Sequence, residues 1–144
     1  MVIIDTSVAY KWFSTEEEDV SQAFQLLNAH LHKKEILVSP DIIIYELANA
    51  WATKTRLPIE KIKIFLKDFE QIKIGIEPMT FELIERAVKF SKDHHVSVYD
   101  ASYAVLALEK NCILYTADSK FVKRINLPFV KLLTRYPIGK DWKN

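Results

Sequence analysis

Short apolar runs that alternate with longer segments of helical periodicity are the feature that most constrains the fold. Five runs are almost wholly apolar, and we predict a strand at residues 2–4, 36–38, 74–76, 113–115 and 129–133. Between them, apolar residues recur every three or four positions, as one face of a helix requires. Strands that are apolar on both sides are typical of a parallel sheet covered by helices. The sequence therefore predicts an α/β fold in which helices cover both faces of a parallel five-stranded sheet.

Three residues indicate where helices begin. Pro40 and Pro58 suit a first helical turn, because the N–H that proline lacks would have no partner there. Thr80 resembles the capping residue of a helix whose apolar face carries Leu83 and Ile84.

At the other end of this segment, His94 and His95 are adjacent, so on a helix they diverge by about 100° and cannot face one metal ion. We interpret them as a pair at a helix end.

Length and composition exclude several classes of protein. With 144 residues, 49% of them hydrophobic, we predict a single domain over residues 1–144. The only cysteine, Cys112, cannot form an intrachain disulfide, which excludes the disulfide-rich secreted class. No stretch approaches the ~20 apolar residues of a membrane helix, and no basic leader precedes the first strand. We therefore expect a cytoplasmic protein without a membrane partner.

Charge and glycine content bear on phosphate chemistry. The 20 Lys and Arg residues balance 19 Asp and Glu residues, so no overall field indicates a nucleic-acid partner. A local basic cluster lies in residues 119–144, which contain seven Lys or Arg residues and one Asp. Gly75 and Gly139 are the only glycines, so the chain has no glycine-rich phosphate loop. Any phosphate chemistry would therefore need a different kind of binding site.

Two acids directly follow predicted strands. Asp5 ends the first run and Asp118 follows the fourth. Ligands of such folds bind outside the carboxyl ends of the strands, which favours a functional interpretation. Each acid could instead cap the helix that follows it, because Asp is a preferred N-cap.

Two further acids lie in apolar helical segments. Glu46 is the only charged residue between Ile42 and Thr53. A buried Glu is rare unless it is paired or binds a cation, and this segment offers no cationic partner. Asp100 lies in a similarly apolar segment in which Ala104 shares its helix face. For Asp100, a favourable charge at a helix N-terminus is the alternative.

Gathered at one edge of the sheet, four carboxylates would repel one another by about 4 kcal/mol per close pair at an effective dielectric constant of 20. Such a site must gain protons or cations. Oxygen ligands without His or Cys favour Mg²⁺ or Mn²⁺ over zinc, and such an ion could activate a phosphodiester for hydrolysis. Thr6, Thr116 and Ser119 are placed to support the carboxylates or metal-bound waters.

Each of the four acids lies in a short motif. The motifs read VIIDTSVAYKWF at residues 2–13, ELANA at 46–50, YDASYA at 99–104 and TADSKF at 116–121. In this order they resemble the PIN-domain family, and especially its VapC-type toxins of prokaryotic toxin–antitoxin pairs. The resemblance spans nearly the whole chain, and only the C-terminal residues 136–144 are less familiar and have no assigned role.

The resemblance implies a three-layer α/β/α sandwich with Mg²⁺- or Mn²⁺-dependent endoribonuclease activity. It also implies a homodimer and inhibition by a cognate antitoxin. By this resemblance the metal-binding and catalytic residues would be Asp5, Glu46, Asp100 and Asp118, with Thr6 and Thr116 as supporting hydroxyls. Our hypothesis is an in-line attack of water on an RNA phosphodiester, which leaves a 5′ phosphate and a 3′ hydroxyl.

Contacts to RNA are predicted from charge and aromatic content. Lys11, Arg56 and the basic segment 119–144 are candidates for the RNA backbone, with an ordinary solvated surface charge as the alternative. Single-stranded RNA is favoured, because stacking needs splayed bases. Trp12, Phe13 and Trp51 could stack on such bases, but their apolar spacing favours packing in the core or at a dimer interface.

Other classes of function fit the sequence less well. A haloacid-dehalogenase-type phosphatase would need a second Asp where Ser7 stands. A phosphate receiver would need an Asp after the third strand, where Pro78 and Met79 stand. Two alternatives within the fold stay open: an RNA-processing PIN nuclease outside a toxin–antitoxin pair, and a non-catalytic PIN scaffold that binds RNA or protein. The complete set of four acids argues against the scaffold.

Overall fold

A parallel sheet of five strands forms the centre of the structure, a computed structural model that describes residues 1–15 and 18–137. The strands are β1 (Val2–Ile4), β2 (Leu37–Pro40), β3 (Gly75–Glu77), β4 (Ile113–Thr116) and β5 (Val130–Leu132). They lie in the order β3-β2-β1-β4-β5, and every neighbouring pair is parallel. The five predicted strands are confirmed to within two residues at each end.

Helices cover the sheet and complete a three-layer α/β/α sandwich, which confirms the predicted fold class. They are α1 (Thr6–Tyr10), α2 (Val20–Leu31), α3 (Ile42–Thr53), α4 (Ile59–Ile72), α5 (Phe81–His94), α6 (Val98–Glu109) and α7 (Ser119–Ile125). Two 3₁₀ turns, Lys11–Phe13 and Leu133–Arg135, follow α1 and β5. In the part of the chain that the structure describes, no helix combines the length and apolar content needed to cross a membrane.

The strand order places a switch point between β1 and β4. From β1 the chain adds β2 and β3 on one side, and it then crosses to add β4 and β5 on the other. Loops that leave β1 and β4 therefore diverge at their carboxyl ends, and such a crevice is where α/β folds bind ligands. The sheet thus presents a binding edge beside Asp5 and Asp118.

The helix α6 packs most deeply in the structure. It contacts β1, β2 and β4 as well as α5, and every residue from 101 to 107 is buried. Ala101, Ala104 and Ala107 are fully buried, so their small side chains let the helix approach the strands closely. The close packing predicted for the face shared by Asp100 and Ala104 is confirmed.

The predicted helix starts are partly confirmed. Thr80 caps α5, since its Oγ1 accepts a hydrogen bond from the N–H of Leu83 at 3.2 Å. Pro58 lies just before the first residue of α4, within the usual uncertainty of a helix boundary. The prediction for Pro40 is wrong: Pro40 ends β2, because pairing with Glu77 of β3 extends the strand through it.

Three aromatic residues that could have stacked on bases, Trp12, Phe13 and Trp51, pack in or against the core. Phe13 contacts Trp51 and Phe65 at ring-centroid distances of 5.1 Å each. Trp12 and Trp51 are buried, and the indole N–H of Trp12 donates to the carbonyl of Ala23 at 2.8 Å. Core packing is therefore confirmed for Trp12 and Trp51, which are not open to stacking on bases, and Phe13 is partly buried against the same core.

His94 and His95 end α5, as predicted. His94 is the last residue of the helix, and its ring lies 4.3 Å from that of Phe90. His95 is the C-cap with a positive φ of 56°. Both residues therefore lie at the helix end, where the backbone N–H of His95 donates to the carbonyl of Ser91.

We expect Leu47→Ala to lower the free energy of unfolding by about 2–5 kcal/mol, because Leu47 of α3 is fully buried and its truncation leaves a cavity. Urea denaturation followed by circular dichroism measures the loss. Leu31→Ala is the matched control, since Leu31 of α2 is 56% exposed, and its effect should stay within about 0.5 kcal/mol. Equal losses for both variants would contradict the assignment of the core.

Candidate active site

The four candidate acids lie at the carboxyl edge of the sheet. Asp5 follows β1 and Asp118 follows β4, one on each side of the switch point. Glu46 lies in the second turn of α3, which begins just after the end of β2. Asp100 lies in the first turn of α6. The last turn of α6 leads into the start of β4, so its first turn lies at the opposite edge of the sheet, where the strands end.

The charges of these acids act on one another. Burial is the main cause that raises the pKa of Asp5 to about 6, and the negative charge of Asp100 raises it further. Burial also raises the pKa of Asp100, and the charges of Glu46 and Asp118 add to this effect. The structure therefore brings together four acids that are up to 113 residues apart in the chain.

Within the described part of the chain, these acids have no positively charged partner. Among residues 1–15 and 18–137, no ion pair involves any of the four acids. A buried carboxylate without a cation is unfavourable, and a second one nearby makes it more so. The group is therefore ready to take up protons or a cation.

Asp5 is held by neutral donors. The hydroxyl of Ser7 donates to its Oδ1 at 2.5 Å, and the N–H of Val8 donates to the same oxygen at 3.3 Å, so Asp5 is also the N-cap of α1. Ser7 Oγ in turn accepts from the N–H of Ala117 at 2.8 Å and lies 3.3 Å from Thr116 Oγ1. Ser7 thereby ties the loop after β1 to the loop after β4.

Glu46 is held by two hydroxyls from other helices. Tyr103 OH donates to its Oε1 at 2.5 Å, and Thr6 Oγ1 donates to the same oxygen at 3.1 Å. The two hydroxyl oxygens lie 2.9 Å apart. Burial raises the pKa of Tyr103, and the neighbouring Glu46 raises it further, so the phenol keeps its proton and remains a donor. Thr6 therefore supports a carboxylate, as its predicted role requires.

Asp118 is both exposed and a helix cap. Its Oδ1 accepts from the N–H of Phe121 at 3.0 Å, so it is the N-cap of α7. Thr116 is fully buried, and its Oγ1 accepts from the N–H of Asp118 at 3.1 Å. Ser119 is exposed, and its hydroxyl makes no hydrogen bond with the residues that the structure describes. Thr116 also forms a side-chain hydrogen bond with Asp5 that lowers the pKa of this acid, so it supports a carboxylate, whereas Ser119 shows no such contact among the described residues.

Capping and anchoring engage only one oxygen of the carboxylate in Glu46 and in Asp118. All hydrogen bonds to Glu46 end on Oε1, and the cap of α7 uses only Oδ1 of Asp118. Within the described chain, the second oxygen of each of these two acids accepts no hydrogen bond. A side chain can therefore cap or be anchored through one oxygen and offer the other to a cation.

Two residues of this network have no clear signal in the sequence. Ser7 stands two positions after Asp5, where a hydroxyl reads as an ordinary residue of a helix start. Tyr103 stands one turn after Asp100 in a helix that is otherwise apolar, where it reads as core. The only hint is spacing, because positions 100 and 103 share a helix face and a tyrosine can extend a polar group along it.

The predicted RNA-contact residues do not gather at the acids. Lys11 is only 5% exposed, and its ammonium donates to the backbone carbonyl of Glu18 at 2.5 Å, so it is occupied within the fold. Arg56 lies beyond the last residue of α3, a helix that runs about 10 Å from Glu46 to Thr53. Neither placement supports the predicted contact.

The basic cluster is described only in part. Lys120, Lys123, Arg124, Lys131 and Arg135 are exposed, and Arg124 donates to the carbonyl of His95 at 2.9 Å. Lys140 and Lys143 lie outside the described residues, as does most of the segment 136–144. Of this cluster, Lys120 is nearest in sequence to the acids, two positions after Asp118.

The donor set suits a hard divalent cation, although its oxygens are not drawn together as a finished site. Among the described residues, no group of three or more His, Cys, Asp or Glu side chains is arranged to hold a metal ion as it stands. The four acids nevertheless supply only oxygen ligands, form no ion pair with any residue that the structure describes, and include two whose pKa is raised. Binding an ion would therefore require their oxygens to approach one another.

Comparison with known proteins gives a family match. A family model described as the PIN domain matches residues 2–126. No curated protein matches the chain significantly. Solved structures match over most of their length. One is a toxin–antitoxin complex from Klebsiella pneumoniae, which is 17% identical in sequence and superposes with a TM-score of 0.69, covering 96% of this chain and 100% of that one.

Two further structures agree with this fold. VapC20 of Mycobacterium tuberculosis, described as a toxin that cleaves the sarcin–ricin loop, shares 16% identity with a TM-score of 0.68 and covers 85% of this chain and 94% of that one. VapBC2 of Rickettsia felis, bound to a DNA fragment of its promoter, is 17% identical with a TM-score of 0.66 and covers 92% of this chain and 97% of that one. At identities this low, the similarity shows a shared fold and nothing more.

We expect the metal-free Asp5→Asn variant to become increasingly more stable than the wild type as pH rises from about 4 to about 6. The folded wild type holds a proton on Asp5 up to a pKa of about 6, whereas the unfolded chain releases it near 3.8. Stability contributed by this group is therefore lost as pH rises through that window, by up to about 1.4 kcal/mol per pH unit. Asn carries no charge and still caps a helix.

Urea denaturation across this pH range measures the difference between variant and wild type. Asp93→Asn is the control, because the hydrogen bond from Lys89 lowers the pKa of the exposed Asp93, so this variant should show no such gain. A difference for Asp5→Asn that does not change with pH would show that Asp5 is not buried as a charge.

Proposed function

The chain belongs to the PIN domain family, and we propose that it is a divalent-metal-dependent endoribonuclease, the toxin of a toxin–antitoxin pair. The observation that carries this proposal is the group of four carboxylates at the switch point of the sheet, anchored by neutral donors and lacking any ion pair among the described residues. A purely structural role would be better served by a Lys or Arg partner, which would stabilise the charges.

The four acids, Asp5, Glu46, Asp100 and Asp118, would hold Mg²⁺ or Mn²⁺. When bound, such an ion polarises a phosphodiester and lowers the pKa of a coordinated water. Ser7 and the N–H of Val8 keep Asp5 in place, and Tyr103 and Thr6 keep Glu46 in place. Water would attack the phosphorus in line as the bond to the 3′ oxygen breaks, which leaves a 5′ phosphate and a 3′ hydroxyl.

The partners follow from the family and the structural neighbours. Several neighbours are toxin–antitoxin complexes, and one is described as a toxin that cleaves the sarcin–ricin loop. These likenesses support an RNA substrate and an antitoxin partner for this chain. On α5, Phe81, Ile84 and Val88 form an exposed apolar stripe, and Phe81 is 94% exposed. An exposed stripe of this kind supports association with a protein chain, in agreement with the homodimer that we propose.

We expect Asp100→Asn to abolish Mg²⁺- or Mn²⁺-dependent cleavage of single-stranded RNA while the protein stays folded. The substitution removes one carboxylate ligand and its charge but leaves the backbone N–H that Ser97 Oγ accepts at 3.0 Å. Cleavage of a labelled RNA by wild type and variant, each with metal and with EDTA, measures the effect. Asp93→Asn, on the exposed face of α5, is the control and should cleave as the wild type does. Undiminished cleavage by Asp100→Asn would remove the proposed mechanism.

A separate experiment tests the role as a toxin. Production of the wild-type chain in a bacterial host should arrest growth, and production of Asp100→Asn should not, because arrest depends on RNA cleavage. Co-production of a small DNA-binding protein encoded beside the gene should restore growth. An RNA-processing nuclease outside such a pair would instead cleave RNA in vitro without arresting growth, and that result would reject the toxin while leaving the nuclease.

A further inference from the structure

Tyr103 is a buried tyrosine whose hydroxyl reaches the acids. It lies in the middle of α6, is 2% exposed, and is flanked by the buried Ser102 and the fully buried Ala104. Its ring fills core space that a phenylalanine would fill equally well. The hydroxyl is a different matter, because a buried polar group is costly unless it is hydrogen-bonded. Its bonding partners therefore indicate why a tyrosine stands here.

The hydroxyl belongs to a triangle of three oxygens from three helices. Glu46 Oε1 of α3 lies 2.5 Å from Tyr103 OH of α6 and 3.1 Å from Thr6 Oγ1 of α1. The third side, between the two hydroxyls, is 2.9 Å. The carboxylate can only accept, so both hydroxyl protons are directed to Oε1 and none is left for the contact between the two hydroxyl oxygens. Oε1 of Glu46 is thus fixed by donors from both sides.

Resting on the nuclease function proposed above, we propose that Tyr103 is a positioning residue that, with Thr6, clamps Oε1 of Glu46 and so presents Oε2 to a divalent cation. Tyr103 acts through Glu46 and contacts neither RNA nor the reacting atoms. Its contribution is orientation, because a glutamate has three rotatable side-chain bonds and an unclamped carboxylate would sample several positions. Outer contacts of this kind fix the direction of metal ligands.

Tyr115 provides a matched control. It is also buried, and its ring packs edge-on against Tyr136 at 5.4 Å. Burial and the charge of Glu35 raise the pKa of Tyr115, and none of the four acids contributes. Tyr115→Phe therefore removes a hydroxyl from a buried tyrosine without touching the acid group.

We expect Tyr103→Phe to weaken Mn²⁺ binding by about 10–100-fold. Calorimetric titration of the metal-free protein with Mn²⁺ alone measures this without any cleavage. At low Mn²⁺, kcat for a short RNA should fall while KM for RNA stays near the wild-type value, and saturating Mn²⁺ should restore most of kcat. Tyr115→Phe should bind Mn²⁺ as the wild type does.

A double-mutant cycle separates positioning from general packing. In a Glu46→Gln background, Tyr103→Phe should have no further effect on Mn²⁺ affinity, because the ligand that Tyr103 orients has already lost its charge. An equal loss in both backgrounds would overturn the proposal, as would Mn²⁺ affinity of Tyr103→Phe within twofold of the wild type. If Tyr103→Phe does not fold by circular dichroism, Thr6→Val tests the clamp from its other side, and unchanged Mn²⁺ affinity would again overturn it.

The outcomes distinguish this inference from the function on which it rests. A wild-type chain that binds Mn²⁺ but cleaves no RNA would contradict the nuclease, and the affinities of the variants would still decide the clamp. A wild-type chain that cleaves RNA, together with an unaffected Tyr103→Phe, would contradict the clamp alone. A wild-type chain that binds no divalent ion would contradict both.

Discussion

Mutual repulsion of four carboxylates at one edge of the sheet is the constraint on which the rest of the site depends. A Lys or Arg among them would relieve it, but it would also neutralise the negative charge. The fold instead uses neutral donors: hydroxyls from Ser7, Thr6 and Tyr103 and backbone N–H groups. Such donors fix the position of a carboxylate while its charge persists. Burial is the main cause of the raised pKa values of Asp5 and Asp100, and the charges of neighbouring acids raise them further.

Keeping these four carboxylates in position requires a rigid, tightly packed core. The central strand β1 is buried on both faces, and α6 lies close to it because alanines occupy the contact positions 101, 104 and 107. That close approach carries Asp100 and Tyr103 to the end of β1, where Asp5 stands. Larger residues at the alanine positions would push α6 outward and separate the acids, so the shape of the core and the geometry of the site are set by the same contacts.

Elements that depend on local pattern could be predicted, and contacts between distant residues could not. The strands and the Thr80 cap follow from periodicity and local hydrogen bonding. Glu46 was recognisable because a charge in an apolar helix conflicts with its surroundings. Ser7 and Tyr103 present no such conflict, and their partners lie up to 110 residues away. Lys11 misleads in the opposite direction, because a long side chain that looks solvated is buried with its ammonium bound to a backbone carbonyl.

The two interpretations of Asp5 and Asp118, helix cap or ligand, are compatible. Each carboxylate has two oxygens, and the capping bonds end on Oδ1 in both cases. Capping orients the side chain and keeps it close to its own backbone, which limits how far its free oxygen must move to meet a cation. The helix N-terminus also favours the negative charge that repulsion from the other acids disfavours. Asp at the end of a strand and the start of a helix therefore satisfies local folding and the demands of the site together, which is why local sequence statistics alone cannot distinguish one role from the other.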